Sequence, residues 1–207
     1  MRPLFCLAAL LLALAGCSTP ESPYADDASI RAVSYRQPGP ATITLYTMVR
    51  NSTGKGGHSA LLINASERVI FDPAGSFYLN IVPERNDVLY GITPRVEFAY
   101  RSGHARKTYH VLSQTIEVTP EQAELAYRLA VQNGAVAAAF CSDSTSKLLR
   151  QVPGFESLNS TLFPTNLAEQ FSKLPGVVES RYYEDDDPDI QVGLEENNAA
   201  LGPQETQ

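Results

Sequence analysis

Apolar and polar residues alternate in the region that follows residue 40. The segment "TITLYTMV", Thr42 to Val49, places Ile43, Leu45 and Val49 on one face, which predicts a β-strand with one face in the core. Two short strands, "HSALLIN" and "RVIFDP", are predicted on either side of a polar "NAS" turn. A further segment, "KTYHVLSQTIEV", is rich in β-branched and aromatic residues, which favour strands.

The hydrophobic period then changes to one that is typical of helices. In "TPEQAELAYRLAVQNG", Thr119 suits the N-cap, Pro120 the first helical position and Gln122 the capping box, and Gly134 stands past the end. A second helix is predicted from "CSDSTSKLLRQV" and a third from "FPTNLAEQFSKLPGV". Because the strands come first and the helices after them, we predict an α+β domain in which helices pack against an antiparallel sheet.

The two ends of the chain differ in composition from this domain. Residues 1–16 combine one basic residue with an apolar run that is too short to span a membrane, which is typical of a secretory signal peptide. Residues 17–40 are polar and punctuated by proline, which predicts a tether. Residues 184–207 are acidic and lack aromatic residues, which predicts a disordered tail. The folded domain is therefore predicted to span residues 41–183.

The end of the signal segment, "LAGC", resembles the bacterial lipobox, in which the cysteine is lipid-modified and becomes the new N-terminus. The resemblance implies that Cys17 is lipidated and that a membrane anchors the protein in the cell envelope. Ser18 implies the outer membrane, with the domain facing the periplasm. The alternative is an ordinary signal peptide with a chance cysteine. Because Cys6 would leave with the signal peptide, Cys141 is then the one free thiol of the mature chain, and no disulfide can form within the domain.

The distribution of charge excludes one class of partner. The net charge is −7, but eight of the 23 acidic residues fall within residues 184–207, so the rest of the chain carries 15 acidic against 16 basic residues. No basic stripe is present to contact phosphates, and we predict no nucleic-acid partner. We also predict no cofactor, and the oligomeric state stays open.

His58 stands between two glycines and the predicted hairpin. Gly56 and Gly57 give the backbone freedom and leave space beside the imidazole, as a residue that faces a ligand requires.

A three-residue "NAS" connection would place His58 directly opposite Asp72, on the same face and within reach of a hydrogen bond. A slip of one residue would place the two side chains on opposite faces. The carboxylate would orient the imidazole and favour its protonated form. The alternative role of Asp72 is to open a turn together with the following proline.

Cys141 is the candidate nucleophile. It is predicted to begin a helix, where the helix dipole and the backbone N–H groups lower the pKa of a thiol and favour the thiolate. A neighbouring imidazole would complete an ion pair. The alternative is a small inert core residue, because Cys141 shares the apolar face of its helix with Leu148 and Leu149.

The order of these residues resembles the circularly permuted papain-like group related to NlpC-type peptidases, which includes bacterial envelope lipoproteins and the lecithin retinol acyltransferase family. In that group the histidine precedes the cysteine. By this resemblance, His58 corresponds to the base, Asp72 to the third polar residue, and Cys141 with Ser142 to the nucleophile and the start of its helix. The resemblance covers roughly residues 43–174 and implies the permuted papain-like fold. It departs at Phe140, where such proteins often carry Asn.

The predicted function is that of a lipid-anchored thiol hydrolase or acyltransferase that uses Cys141, His58 and Asp72 on an amide or ester bond. An envelope location favours stem-peptide amide bonds of peptidoglycan as the substrate, and lipid acyl groups are the alternative. The backbone N–H of Cys141 is the candidate oxyanion donor, and Tyr46 is a second candidate, for which packing is the expected role. A non-catalytic binding or structural lipoprotein is the competing function. A zinc site on the same three side chains is less favoured, because no short ligand spacing indicates it, and we predict no metal.

Overall fold

The computed structural model describes residues 23–202. The predicted signal peptide, the predicted lipidation site Cys17 and the last five residues of the tail lie outside the described residues. The strands are β1 (Thr42–Arg50), β2 (Gly56–Asn64), β3 (Arg68–Phe71), β4 (Glu84–Arg85), β5 (Val88–Leu89), β6 (Tyr109–Glu117) and β7 (Val178–Tyr182). The helices are α1 (Asp27–Ala32), α2 (Pro94–His104), α3 (Pro120–Gln132), α4 (Cys141–Leu149), α5 (Pro164–Phe171) and α6 (Ile190–Leu201). Within these residues, no helix is both long enough and apolar enough to cross a bilayer.

The strands form one antiparallel sheet in the order β4-β5-β3-β2-β1-β6-β7. Helices α3, α4 and α5 cover one face, where Ala126, Leu149 and Phe171 pack against Ile43 and Leu61. Helix α3 carries the predicted capping box. The prediction of an α+β domain with helices on an antiparallel sheet is thus confirmed.

The second face of the sheet is also covered, by α2 and α6. Tyr100 of α2 and Leu194 of α6 pack there with Tyr46, Leu62 and Ile70. The prediction that β1 has only one face in the core is therefore wrong, since Tyr46 on its other face is 1% exposed. The second face is buried because two helices absent from the sequence prediction lie on it.

One of these helices, α6, belongs to the segment that was predicted to be disordered. That prediction is wrong for the stretch from Glu184 to the end of α6, because a buried cation compensates its charge. Arg106 is only 3% exposed, donates a 2.6 Å hydrogen bond to the Asp187 carbonyl, and lies 3.0 Å from the Asp186 carboxylate. Gly193 allows α6 this close approach, because a Cβ there would lie 2.4 Å from an Arg106 nitrogen. Composition alone predicted disorder here, because Arg106, which compensates the acidic charge, lies about 80 residues earlier in the sequence.

The predicted tether is also shorter than expected, because the part that the structure describes packs on the domain. Tyr24 forms a β-bridge with Arg85, and the Ala25 N–H donates to the Glu84 carbonyl at 2.8 Å. Farther along, the Tyr35 carbonyl accepts a 2.6 Å hydrogen bond from the backbone of β3. The assignment of residues 17–40 as a tether is therefore wrong from Tyr24 onward.

The hairpin of β2 and β3 forms, but its register differs from the prediction. Asn64 was assigned to the turn, whereas in the structure it is the last paired residue of β2. Its buried side chain is held by the backbone of Gln37, with one hydrogen bond accepted and one donated, each 3.1 Å long. Continued along the strands, this pairing places Asp72 beside Ala60, two residues from the predicted partner, His58. Because side chains alternate between faces, a shift of two residues leaves Asp72 on the same face as His58.

Candidate active site

His58 and Asp72 meet at the end of the hairpin. His58 Nε2 lies 2.7 Å from Asp72 Oδ1, although the two residues are not directly opposite in the sheet. Diagonal neighbours on one face are within reach of a long side chain, which explains why the contact survives the shift in register. The structure therefore brings these two predicted residues together, by a pairing that differs from the predicted one.

The Asp72 carboxylate is buried and held by a second donor. The Tyr100 hydroxyl donates a 2.7 Å hydrogen bond to the same oxygen, Oδ1, that contacts His58. Gly75 leaves the space that the carboxylate occupies, since a Cβ at that position would lie 1.9 Å from Asp72 Oδ2. Burial opposes ionisation of Asp72, but the charge and hydrogen bond of His58, with smaller contributions from His104 and Tyr100, lower its pKa. The carboxylate is therefore ionised at neutral pH.

Cys141 reaches this pair from the other end of the fold. Strand β3 ends at Phe71, so the first residues of β2, which include His58, have no neighbouring strand on the β3 side. Helix α4 packs against β2. Cys141, 7% exposed, begins α4 near enough to His58 for each of the two groups to shift the pKa of the other. Because His58 Nε2 is engaged by Asp72, Nδ1 is the ring nitrogen that remains for the thiol. All three predicted side chains thus lie together.

The electrostatics favour an ion pair between thiol and imidazole. Burial raises the pKa of a thiol, but at Cys141 the hydrogen bond and charge of His58, assisted by the backbone N–H groups of Ser59 and Ser142, outweigh burial and lower the pKa. Burial likewise opposes protonation of His58, yet the charge and hydrogen bond of Asp72 and the contact with Cys141 raise its pKa to about 10. Proton transfer from sulfur to imidazole is therefore favoured in this site.

Of the two candidate oxyanion donors, only one suits the geometry. The Tyr46 hydroxyl is inside the core, where it donates a 2.8 Å hydrogen bond to Glu97, so Tyr46 serves packing, as expected, and is no oxyanion donor. No side chain caps α4, because the residue at its N-cap is Phe140. The N–H groups of the first turn have no intrahelical acceptor, and they are available to a developing negative charge beside Cys141.

Three neighbours of the site were not found from the sequence. Tyr100 and His104 lie on α2, and the His104 ring stacks near that of His58 with centroids 6.2 Å apart and planes 11° from parallel. Burial lowers the pKa of His104, so its ring is neutral. The third neighbour is Asp87, in the turn between β4 and β5. A helix signal was present in "TPRVEF", where Thr93 caps α2, but nothing local to Asp87 indicated its contacts.

The remaining histidine lies elsewhere. His110 Nδ1 is 2.8 Å from the side-chain oxygen of Asn51, and its ring stacks on Tyr183. The sequence left His104 and His110 unassigned, and only His104 adjoins the site. No group of three His, Cys, Asp or Glu side chains is arranged for a metal ion in the described part of the chain.

A cleft of about 430 Å³ opens beside His58. Its lining residues come from distant parts of the sequence. They include His58, Gly75, His104 and Tyr109 of the central domain, and Ile190 at the start of α6. A larger cleft of about 700 Å³ lies beside the N-terminus of α3, away from the three clustered side chains. The cleft at His58 therefore adjoins the candidate chemistry, and the acidic C-terminal segment forms part of its wall.

Comparisons of the chain with protein-family models, curated proteins and solved structures gave no match.

Proposed function

We propose that the protein is a thiol hydrolase or acyltransferase in which Cys141 is the nucleophile, His58 the general acid and base, and Asp72 the orienting carboxylate. The observation that carries this proposal is the 2.7 Å contact between His58 Nε2 and a buried Asp72, which leaves Nδ1 for Cys141. A nucleophile, a base and an orienting group in this sequence of contacts are the arrangement that nucleophilic catalysis requires.

The chemistry follows from these contacts. The Cys141 thiolate attacks the carbonyl carbon of an amide or ester, a C–S bond forms, and the electron pair of the C=O bond moves to oxygen beside the first turn of α4. His58 gives its Nδ1 proton to the leaving nitrogen or oxygen as that bond to carbon breaks. His58 then takes a proton from water, or from an alcohol or amine acceptor, as this attacks the thioester, and the thiolate leaves again.

The chain order supports the finer assignment to the permuted papain-like, NlpC-type fold. His58 is on a strand, Asp72 follows the next strand, and Cys141 begins a helix that packs on the sheet. We propose with it the envelope setting that the lipobox resemblance implies: a lipid on Cys17 and the outer membrane, with the domain in the periplasm. Stem-peptide amides of peptidoglycan are the substrate class that this setting favours, and lipid acyl groups are the alternative.

One observation favours a second function, that of a non-catalytic binding module. The cleft of about 430 Å³ touches His58 but is not lined by Cys141, which is almost fully buried. A ligand could then occupy the cleft without reaching the sulfur, and Cys141 would serve packing.

The test is the pH dependence of Cys141 alkylation by iodoacetamide, in a chain that starts at Ser18 and therefore contains one cysteine. We expect labelling to be rapid well below the ordinary thiol pKa of 9.0, because the pKa of Cys141 is lowered by His58. In His58→Ala only burial and the backbone N–H groups remain, so the apparent pKa should rise. His110→Ala is the matched control, because it removes a buried imidazole that does not contact Cys141.

Rapid labelling that is lost in His58→Ala and kept in His110→Ala would support the enzyme and justify a substrate screen. Slow labelling with an ordinary thiol pKa in all three chains would overturn the proposal in favour of the binding module.

A further inference from the structure

Backbone strain is concentrated around the three clustered side chains. Within residues 23–202, four residues other than glycine have a positive φ: Ala74 (56°), Asn86 (50°), Asp87 (64°) and Ala139 (72°). Ala74 is two residues after Asp72, and Ala139 is two residues before Cys141. Such conformations cost on the order of 1 kcal/mol each and persist where the surrounding structure enforces them. The strain thus lies in the two loops that carry the orienting carboxylate and the thiol, and in the turn of Asn86 and Asp87.

Asn86 and Asp87 form the two-residue connection between β4 and β5. Both have the positive φ that a type I′ hairpin turn requires. Glycine is the favoured residue at the second position of such a turn, because it adopts this conformation without strain. The chain has Asp87 there instead, so its side chain contributes something that glycine would not.

The Asp87 carboxylate joins the two strained loops. Its Oδ2 atom accepts a 3.0 Å hydrogen bond from the Ala74 N–H, just after Asp72. The same oxygen accepts a 2.8 Å hydrogen bond from the Val136 N–H, in the loop that leads to Cys141. In addition, the Asp87 carbonyl accepts a 2.8 Å hydrogen bond from the N–H of Asp72 itself. One buried residue therefore connects the loop of the carboxylate to the loop of the thiol.

We propose that Asp87 is a positioning residue that fixes the spacing between Asp72 and Cys141 by holding the Ala74 and Val136 N–H groups on one carboxylate oxygen. This inference rests on the proposed function and adds to it the group that aligns the site. Asp72 and Cys141 lie on elements that are far apart in sequence, and His58 can contact both only if the loops that carry them stay in place. Hydrogen bonds from N–H groups to a buried carboxylate are stronger than those to a neutral acceptor, which suits this role.

Two substitutions separate positioning from folding. Asp87→Gly removes the carboxylate but places the preferred residue in the turn, so the hairpin should form at least as well. Asp87→Asn keeps the shape, tolerates the positive φ and leaves a neutral oxygen acceptor. Asp27→Ala is the control, because it removes an acidic partner of the same hairpin, the 2.7 Å ion pair with Arg85, without touching either loop.

The measurements are the pH profile of Cys141 alkylation, the hydrogen exchange of the Ala74 and Val136 amides, and the thermal midpoint. In Asp87→Gly we expect alkylation at pH 6.5 to slow by about tenfold or more, because small misplacements of catalytic groups have effects of this size. Both amides should exchange faster, and the thermal midpoint should fall, because the Ala74 and Val136 N–H groups lose their acceptor. Asp87→Asn should lie between Asp87→Gly and the unsubstituted chain, and Asp27→Ala should label like the unsubstituted chain.

The two proposals fail in different ways. If the unsubstituted chain labels slowly with an ordinary thiol pKa, the proposed function fails whatever Asp87 does. If the unsubstituted chain labels rapidly and Asp87→Gly and Asp87→Asn do so equally, the proposed function stands and the role of Asp87 is refuted. If Asp87→Gly does not fold, Asp87→Asn decides by the same comparison.

Discussion

Substitution of Gly75 by alanine offers a sharp test of how Asp72 supports His58. A Cβ at position 75 would lie 1.9 Å from Asp72 Oδ2 and 2.3 Å from its Cγ, whereas real Cβ contacts essentially never fall below 3.0 Å. Gly75 does not have a left-handed φ, so alanine fits its backbone without strain. The substitution therefore acts on the carboxylate and on little else.

The geometry sets the size of the effect. To relieve the contact, the Asp72 carboxylate must move by about 1 Å or more, which would lengthen its 2.7 Å hydrogen bonds with His58 and Tyr100 beyond hydrogen-bonding range. Without Asp72 the elevated pKa of His58, about 10, falls toward the ordinary 6.5. A neutral imidazole no longer lowers the pKa of Cys141, and the thiolate fraction below that pKa falls roughly tenfold for each unit of increase.

The assay is iodoacetamide labelling of Gly75→Ala between pH 5.5 and about 9, a range that spans the ordinary pKa values of imidazole and thiol. We expect the labelling profile to shift to higher pH, as it does in His58→Ala. Gly103→Ala is the matched control, since it lines the same cleft but its Cβ would come no closer than 3.5 Å to any side chain. If Gly75→Ala and Gly103→Ala label identically, then Asp72 does not support the ion pair, and the reasoning from its contacts is refuted.

Three further predictions follow from other contacts. Tyr100→Phe removes a hydrogen bond to the ionised form of Asp72, so the pKa of Asp72 should rise. The stability that a depressed carboxyl pKa provides is lost as the pH falls, and acid unfolding followed by circular dichroism should therefore begin at a higher pH in this variant. Arg106→Met removes the buried cation that holds the C-terminal segment, so the amides of α6 should exchange faster, and unchanged exchange would contradict the account of its order. Asn64→Ala removes the buried amide that ends β2 and should lower the free energy of unfolding in urea by roughly 2–4 kcal/mol. A loss below about 0.5 kcal/mol, the lower end for a single hydrogen bond, would mean that these bonds do not set the register.

The sequence predicted the features that depend on neighbouring residues. Helix α3 carries its own capping box, with Thr119 and Gln122 three residues apart, and the structure has it as predicted. The strand β1 was also found, because its alternation is local. The meeting of His58 and Asp72 was foreseen for a more general reason, since a register error of two residues leaves every side chain on the same face.

The features that the sequence missed depend on partners far along the chain. Nothing near α6 indicates that Arg106 will compensate the charge beside it, so acidic composition predicted disorder. Nothing near Asn64 indicates that the backbone of Gln37 will hold it in the strand. The role inferred for Asp87 is of the same kind, because its two hydrogen-bond donors come from loops that follow other elements. Local propensity cannot express these long-range contacts.

The packing of the N-terminal segment on the sheet edge limits how far the domain can move from an anchor. Because Tyr24 is bridged to Arg85, about seven residues at most separate Cys17 from the part of the chain that packs on the sheet. A fully extended chain advances at most ~3.6 Å per residue, which gives a reach of about 25 Å. If Cys17 carries a lipid, the domain is therefore confined to a thin layer next to the bilayer surface. Such a short connection would restrict the domain to binding partners in that layer and would raise its effective concentration toward them.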